Sequence, residues 1–360
     1  QNNTDGNAQG DFYYAPPSGF LASCAANLDA SAVVDSSSSF QTTTYTGNGG
    51  TQSIDQSGNQ TFEPDLVWIK YRNASSSHVL TDSVRGVTKV LSSDATTAET
   101  TDADTLTSFD SDGFSLGADS KVNTNTGNFV AWQWLEGAAP GFDIVSYTGN
   151  GSARTISHSL SAVPKMIIVK NRDQADAWQV YHAGVSGVTG DPQTDYMVLN
   201  TTAAAVDSAD RWNDTAPTSS VFSLGTGVEV NTNTEDYIAY LFAEVWGFSS
   251  FGYYTGSGTA DGPMVHTPGM SPAWVMIKDS TGSSGYWGME DVIRSPYNVV
   301  NTQVDANTAD AEFDSAGRAI DFLSNGFKVR TSDADKNTST SIYLYAAFAK
   351  FPFKTSNARQ

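Results

Sequence analysis

Three short clusters of aspartates are the residues of this sequence best suited to bind an ion. Carboxylate oxygens at close spacing are ligands that Ca²⁺ prefers, and the clusters are Asp102-Ala103-Asp104, Asp110-Ser111-Asp112-Gly113 and Asp333-Ala334-Asp335. None of them matches the twelve-residue calcium loop with its closing Glu. In a chain with 39 Asp and Glu, aspartates two apart in a turn also arise without a ligand. We therefore predict solvated turns and no resident cofactor, with Ca²⁺ as the alternative.

Aromatic side chains outside the strongest strand motifs could stack on sugar rings. They are Trp178, Tyr181, Trp212, Tyr286 and Trp287. Large aromatics also dominate protein cores and subunit interfaces. We predict core or interface positions for these five, with exposed sugar-binding platforms as the alternative.

Patterns of catalytic and metal-binding residues are missing from the sequence. The four histidines, His78, His158, His182 and His266, show no spacing typical of a transition-metal site. No Gly-x-Ser-x-Gly and no phosphate-binding glycine loop occurs. A glycosidase needs two carboxylates in one groove, and abundant Asp and Glu single out no such pair. We predict that the protein is not an enzyme; we assign no catalytic or metal-ligating residue, and the ligand-binding residues stay open.

The most regular charged positions are three lysines and two arginines. Lys70, Lys170 and Lys278 each end an apolar stretch. Each could have a packed stem and a solvated tip, or could pair with an acidic residue of a neighbouring unit. Arg85 and Arg294 are similar candidates in comparable segments. The middle of the chain has Ser186-Gly187 there, which favours a structural role over a shared ligand site.

These charged positions belong to a unit that occurs three times. Four markers keep the same order: a Tyr-Thr-Gly turn, a proline followed by an apolar strand ending in lysine, a Gly-Phe or Val-Phe strand, and an aromatic closing strand. The turns begin at Tyr45, Tyr147 and Tyr254, the prolines are Pro64, Pro164 and Pro272, the third markers begin at Asp112, Ser220 and Asn325, and the closing strands are 129–134, 237–242 and 343–348.

The repeated pieces predict a β-sandwich in each unit. Apolar runs after each proline fit central strands covered on both faces, and the glycine-rich triplets favour hairpin turns. In the closing strands, Ala131-Trp132 and Ala239-Tyr240 become Tyr345-Ala346, a volume-conserving exchange that predicts protein on both faces. Helical periodicity is missing, apart from one expected turn at 201–205. The short joins at about 137–141 and 246–250 predict units that pack together.

Composition limits the choice of partners. The formal net charge is −20, which disfavours binding to nucleic acid and to anionic membranes. Only 16% of residues are charged and 11% are aromatic, a balance typical of extracellular or virion β-proteins. With the single cysteine Cys24, no internal disulfide can form. The chain starts at Gln1 without a signal-peptide pattern, so we expect a processed product or the C-terminal part of a longer chain.

Several motifs resemble a repeat of structural proteins from marine tailed phages. They are Phe62 to Lys70, His78 to Gly86 and Asp112 to Gly117 in the first unit; Asn200 to Asp214 and Ser219 to Gly225 in the second; and Arg294 to Val300 and Pro352 to Arg359 in the third. Together they extend over essentially the whole chain. In that family a lectin-like SPRY sandwich typically precedes the repeats, and the segment Phe12 to Leu28 is similar to the end of such a domain. The resemblance implies a tail-fibre-like protein on the virion and brings no catalytic motif.

We therefore predict an all-β protein of three tandem lectin-like or jelly-roll-like sandwiches at 40–137, 142–246 and 251–353, after the end of an upstream domain with its linker at 1–39, and before a C-terminal tail at 354–360. The expected function is that of a virion appendage subunit attaching to host-surface glycan. Its expected partners are copies of itself, as a homo-oligomer and by family habit a trimer, other virion proteins and host polysaccharide. A purely architectural decoration or neck protein is the alternative, and a polysaccharide depolymerase a weaker one.

Overall fold

The described part of the chain, residues 3–28, 30–282 and 285–352 of this computed structural model, consists almost entirely of antiparallel strands. Its α-helices are single turns: α1 Ser120–Asn123, α2 Ala209–Trp212, α3 Val228–Asn231 and α4 Ala334–Asn337. No helix in these residues is long and apolar enough to cross a membrane. The predicted all-β fold class is confirmed.

The first unit has nine strands: β1 Phe40–Thr46, β2 Gln52–Asp55, β3 Leu66–Tyr71, β4 Val79–Asp82, β5 Lys89–Val90, β6 Thr100–Thr101, β7 Leu106–Asp110, β8 Gly113–Leu116 and β9 Asn128–Trp134. The second has eight: β10 Phe142–Thr148, β11 Arg154–Ser157, β12 Pro164–Asn171, β13 Gln179–His182, β14 Asp195–Val198, β15 Val206–Asp207, β16 Val221–Leu224 and β17 Asp236–Ala243. The described residues of the third form nine: β18 Ser249–Thr255, β19 Met264–His266, β20 Met270–Asp279, β21 Gly288–Asp291, β22 Thr302–Asp305, β23 Phe313–Asp314, β24 Ile320–Leu323, β25 Gly326–Val329 and β26 Ile342–Pro352.

Every unit has one large sheet and a smaller sheet packed on it, and the first four strands of the large sheets follow the same order; the first unit also has a separate two-stranded sheet, β5-β6. The large sheet of the first unit has the order β1-β9-β3-β4, and the other two begin β10-β17-β12-β13 and β18-β26-β20-β21. The aromatic closing strand therefore lies between the first and third strands of its unit, and the apolar strand after the proline lies next to it. Both are central strands, and for the apolar strand after the proline the sequence predicted this position.

The turn after the first strand is not a hairpin, contrary to the prediction. β1 pairs with β9, whereas β2 pairs with β8 in the small sheet. The turn at Gly47 to Gly49 therefore crosses from one sheet to the other. A Cβ on Gly47 would lie 2.3 Å from the carbonyl oxygen of Thr124, and Gly49 has φ of +72°. Gly47 is required because the backbone of Thr124 leaves no space for a Cβ atom. Gly49 is favoured because its backbone is in the left-handed region.

Each large sheet is buried on both faces. One face packs on the small sheet of its own unit and forms a separate core in each unit. The opposite faces of all three sheets meet in one further cluster, the shared core. At its centre the last aromatics of the closing strands, Trp134, Phe242 and Phe348, lie 5.8–6.4 Å apart between ring centroids. The units thus surround a common axis and bury their apolar faces against each other.

The exchange of small and large residues in the closing strands is now explained. Ala131 and Ala239 point into their own units, and Trp132 and Tyr240 into the shared core. In the third unit Tyr345 packs in its own core, and Ala346 lies in the shared core. The predicted burial on both faces is confirmed.

The segment before β1 is packed rather than a free linker. Val33 is buried in the shared core, and Asp35 caps a 3-10 turn at Ser36–Ser38. The Ser- and Ala-rich composition of this segment led to the prediction of a linker and gave no indication that Val33 is buried. Two further expectations change: residues 201–205 form no helical turn, and β18 begins at Ser249, inside the expected join. The tail at 354–360, and Phe353 to Arg359 of the family motif, lie outside the described residues.

Candidate functional site

The three aspartate clusters, for which Ca²⁺ was the alternative, lie in or beside turns and form bonds within the protein. Asp102 accepts a hydrogen bond from the backbone of Asp104, and Asp110 accepts hydrogen bonds from Ser108 and Ser115 at 2.7 Å. Asp333 caps α4, where it and Asp335 pair with Arg318. Among the described residues, no group of three His, Cys, Asp or Glu side chains is arranged to hold a metal ion.

Most of the candidate sugar-stacking aromatics are internal. Trp178, Tyr181, Trp212 and Trp287 are at most 4% exposed. Trp178 and Trp287 donate their indole N–H groups to backbone carbonyls of the preceding unit, at Ser92 and Val198. Tyr286 is partly buried beneath the guanidinium of Arg318. The core and interface positions predicted for the first four are confirmed.

The three regular lysines are buried, and neither predicted arrangement is right. Lys70, Lys170 and Lys278 have no exposed surface. Each ammonium donates to the carbonyl of the following residue, and two also reach a neighbouring unit, Lys70 at Ala309 and Lys278 at Thr202. Burial lowers the pKa of each to about 8. The ends of the central strands therefore lie at the junctions between units.

Arg85 and Arg294 occupy equivalent junctions. The Nε of Arg85 bonds to Asp82 at 2.5 Å, and the Tyr240 hydroxyl of the second unit donates to the same carboxylate oxygen at 2.7 Å. In the third unit, Arg294 bonds to Asp291 at 2.6 Å, and Trp132 of the first unit donates to that oxygen. All four members of these two Arg–Asp pairs have fully buried side chains, so they are structural joints.

At the junction of the second and third units, neutral side chains replace the Arg–Asp pair. Strand register places His182 where the other units have Asp82 and Asp291, and Val185, rather than the expected Ser186-Gly187, where they have arginine. The Nε2 of His182 lies 3.2 Å from the carbonyl oxygen of Tyr345, and its Nδ1 accepts from the backbone of Gly184. Burial lowers the pKa of this imidazole to about 4, so it is neutral at pH 7.

Sequence reasoning missed one asparagine in each unit. Asn123, Asn231 and Asn337 are fully buried in α1, α3 and α4. Each side chain accepts the backbone N–H of the middle residue of the glycine-rich turn. It also donates to two further backbone carbonyls, such as Gly117 and Gly50 for Asn123. An Asn-Thr dipeptide at the same place in all three units was the available signal.

Two glutamates, Glu136 and Glu290, have a pKa raised by burial. Where the first and second units join, burial and a hydrogen bond with Asp143 raise the pKa of Glu136 to about 7, and Asp143 also accepts from the backbone of Ser159. In the third unit, Glu290 pairs with Lys336 inside the core. Burial raises the pKa of Glu290. Both carboxylates are engaged in contacts within the fold.

A cleft of about 190 Å³ opens where the third unit meets the first. The segment from Asp35 to Thr42 and the loop of Ser57 to Asn59 form one side. Ala273, Val292 and Ile293 form the other, close to the Asp291–Arg294 pair. The lining mixes hydroxyl, amide and apolar groups with two charged residues, Asp35 and Lys350.

One family model matches the chain over residues 35–352, and its description is domain of unknown function, DUF7483. The chain belongs to this family. The match begins at the cap of the 3-10 turn before β1 and includes all three units of the DUF7483 domain. No curated protein and no solved structure matches the chain.

Proposed function

We propose that this DUF7483 chain is a non-enzymatic virion protein of a bacteriophage, a tail-fibre-like or appendage subunit that attaches to a glycan of the host surface. The observation that carries the proposal is that the buried charged side chains described above have their hydrogen-bond partners within the fold. The buried lysines, arginines and aspartates and the histidine described above bond to each other or to backbone groups, and several of these contacts cross a junction between units. Buried polar contacts of this kind hold the units together, and they support a role as a rigid scaffold.

The surface supports the second part of the proposal. Polarity comes mainly from Ser, Thr, Asn and Gly with a net charge of −20, and neutral hydroxyls and amides are groups that bond sugar hydroxyls. Three units fixed around one axis would present several loops together, so weak contacts could add through avidity. The proposed assembly is a homo-oligomer, a trimer by resemblance, located on the virion surface.

Localisation and binding need separate measurements. Antibodies raised against the purified chain should label phage particles in immunogold electron microscopy. The chain should also bind one class of surface polysaccharide on a glycan array, with and without a calcium chelator. Particles without label contradict the virion assignment. Loss of binding with the chelator would support the calcium alternative.

A purely architectural role is the second candidate, and one loop favours it. Ile293, Tyr297 and Val299 of the third unit are 47%, 84% and 45% exposed, and exposed apolar residues close together are typical of protein contacts. Silence across the glycan array, together with labelled particles and a stable oligomer in solution, would favour this role over attachment.

A further inference from the structure

The core of the third unit contains a lysine where the other two units have a valine. Lys336 precedes the buried asparagine of α4, as Val122 does in α1 and Val230 in α3. Both valines are buried in the cores of their own units, and Lys336 is 1% exposed. An ammonium group therefore lies in a place that the fold fills elsewhere with an apolar side chain.

The partner of this lysine is also specific to the third unit. Glu290 of β21 holds the register position of Thr81 and Tyr181 and is fully buried. It points into the core of its own unit, because its neighbour Met289 lies in the shared core and successive side chains of a strand face opposite sides. Lys336 contacts the Oε1 atom of Glu290. The two charged residues thus occur together in one unit and at neither position of the other two.

The contact leaves both groups poorly satisfied as an ion pair. Among the described residues, Glu290 is the one hydrogen-bond acceptor of the Lys336 ammonium, and the Oε2 atom of Glu290 has no partner. The three lysines at the ends of the central strands each bond to two carbonyl oxygens instead. Buried ions without full hydrogen bonding are costly. An amide between the two side chains has one N–H and one oxygen, so it leaves fewer polar groups unpaired.

Burial also favours the forms of the two side chains that react with each other. It lowers the pKa of Lys336 and raises the pKa of Glu290, which favours the neutral amine and the neutral carboxylic acid. Groups held in contact within one molecule react as if each were present at about 10⁵ M or more. A closed apolar core also excludes the water that would reverse the reaction.

A further acid lies on the same face of the sheet. Asp305 of β22 is paired with Gly288, which is two positions from Glu290, and its charge acts on both Glu290 and Lys336. Burial raises the pKa of Asp305, and the amide of Gln303 donates to one of its oxygens. A neutral carboxylic acid beside the pair can protonate a leaving hydroxyl and take a proton from an amine.

We infer that Lys336 and Glu290 condense to an isopeptide bond inside the folded third unit. The Nζ atom of Lys336 attacks the Cδ atom of Glu290, so that a C–N bond forms and the C–O bond to Oε2 breaks. The hydroxyl from Glu290 and one proton from the amine leave as water, and Asp305 relays the proton. No oxidant or other reactant is needed. The product ties β21 to α4 by an amide, and the inference does not depend on the proposed function.

The wild-type chain itself decides the inference. Its intact mass should be lower than the mass of the sequence by one water molecule, and peptide mapping should yield a cross-linked peptide that contains Lys336 and Glu290. An amine-reactive label added in guanidinium should leave Lys336 unmodified, because denaturant breaks an ion pair but not an amide. A chain of full mass with a labelled Lys336 overturns the inference, and so does a water lost at any other place in the chain.

Variants test the role of each side chain. Lys336→Val and Glu290→Thr copy the first unit and should each restore the full mass. Asp305→Asn keeps both reacting groups, and in a time course after cell-free synthesis it should lose water about a hundredfold more slowly, the usual contribution of a general acid or base. Lys121→Ala, at a partly exposed lysine of α1, is the control and should lose water as the wild type does.

Circular dichroism shows whether each variant is folded. Water loss that persists in folded Lys336→Val overturns the bond. A wild-type rate in folded Asp305→Asn overturns the proton transfer by Asp305.

Discussion

Glu99 accepts two hydrogen bonds from the guanidinium of Arg172 in the next unit, at 2.9 and 3.1 Å, and one from Arg85 of its own unit at 3.3 Å. Glu312 of the third unit likewise accepts two hydrogen bonds from Arg72 of the first unit and one from Arg294 of its own unit. At the remaining junction Ala205 holds the equivalent place, because its backbone N–H bonds to Ser280 as those of the two glutamates bond to Arg172 and Arg72. Two junctions therefore contain buried carboxylate–guanidinium pairs, and we call them the ionic junctions; in the described residues of the third, Ala205 and His182 replace the glutamate and the aspartate.

The ionic junctions should be sensitive to loss of a single charge. Asp82→Asn leaves the buried guanidinium of Arg85 without its closest carboxylate, and we expect a loss of about 3 kcal/mol in the free energy of unfolding, as for other buried pairs. Urea denaturation followed by tryptophan fluorescence measures it. Asp104→Asn, at an exposed position, should change stability by less than about 0.5 kcal/mol. Equal effects of the two substitutions would contradict the structural role of Asp82.

Replacing the buried asparagine of a helical turn by a charged residue should destabilise the protein. Asn231→Asp keeps the shape but removes the two donors that bond to Ser152 and Gly225 and directs a carboxylate at their carbonyls. We expect a loss of about 3 kcal/mol, because a buried donor pair is replaced by an unpaired charge. The exposed Asn233, two residues further on, is the control in the same thermal-denaturation series. A near-neutral Asn231→Asp would show that the turn is held by its glycines alone.

Packing around the common axis should depend on cross-strand volume. Phe251 lies opposite Ala346, whereas Thr42 lies opposite Trp132, so the large residue changes strand between units. Phe251→Thr should cost about 3 kcal/mol through the cavity it leaves. Adding Ala346→Trp copies the first unit and should recover at least about 1 kcal/mol in a double-mutant cycle. Strict additivity of the two losses would show that the pair does not share one volume.

Acid should weaken the junction of the second and third units, where His182 is buried. The unfolded state takes up a proton at the ordinary pKa of histidine, 6.5, whereas in the folded state burial lowers the pKa of His182 to about 4. Stability is therefore complete above pH 6.5 and falls as the pH drops toward 4, by about 3 kcal/mol for this group. His182→Gln should flatten that part of the stability profile measured in urea, and His266→Gln, at an exposed position, should not. An unchanged slope in His182→Gln would assign the acid sensitivity to other groups.

The sequence was sufficient to predict the three units and the apolar strand at the centre of each. The order of the repeated markers and the apolar runs can both be read directly along the chain. It also predicted that Ala131 and Trp132 face protein on opposite sides. It did not show that the second face belongs to a core shared by all three units, since an apolar run does not identify its partner. The turn at Gly47 to Gly49 was misinterpreted for a similar reason: glycines between strands occur equally in hairpins and in turns between sheets.

The site depends even more on contacts distant in sequence. Lys70 reaches Ala309 across 239 positions, and a lysine that ends a strand looks the same whether it is solvated or buried. The cleft combines residues near 40 with residues near 290, and nothing in either segment alone distinguishes it. The buried asparagines could have been predicted from the sequence, because their Asn-Thr dipeptide occurs at the same place in each of the three units.

The position of the closing strand has a consequence for how the chain is made. In each unit the last strand must enter between two strands synthesised earlier, and the third unit must then dock on the first. A nascent chain that has only its first two units leaves Trp134 and Phe242 without Phe348 at the axis. Truncation or proteolytic cleavage at either join would therefore expose the apolar faces of the shared core and yield aggregation-prone fragments in place of smaller folded domains.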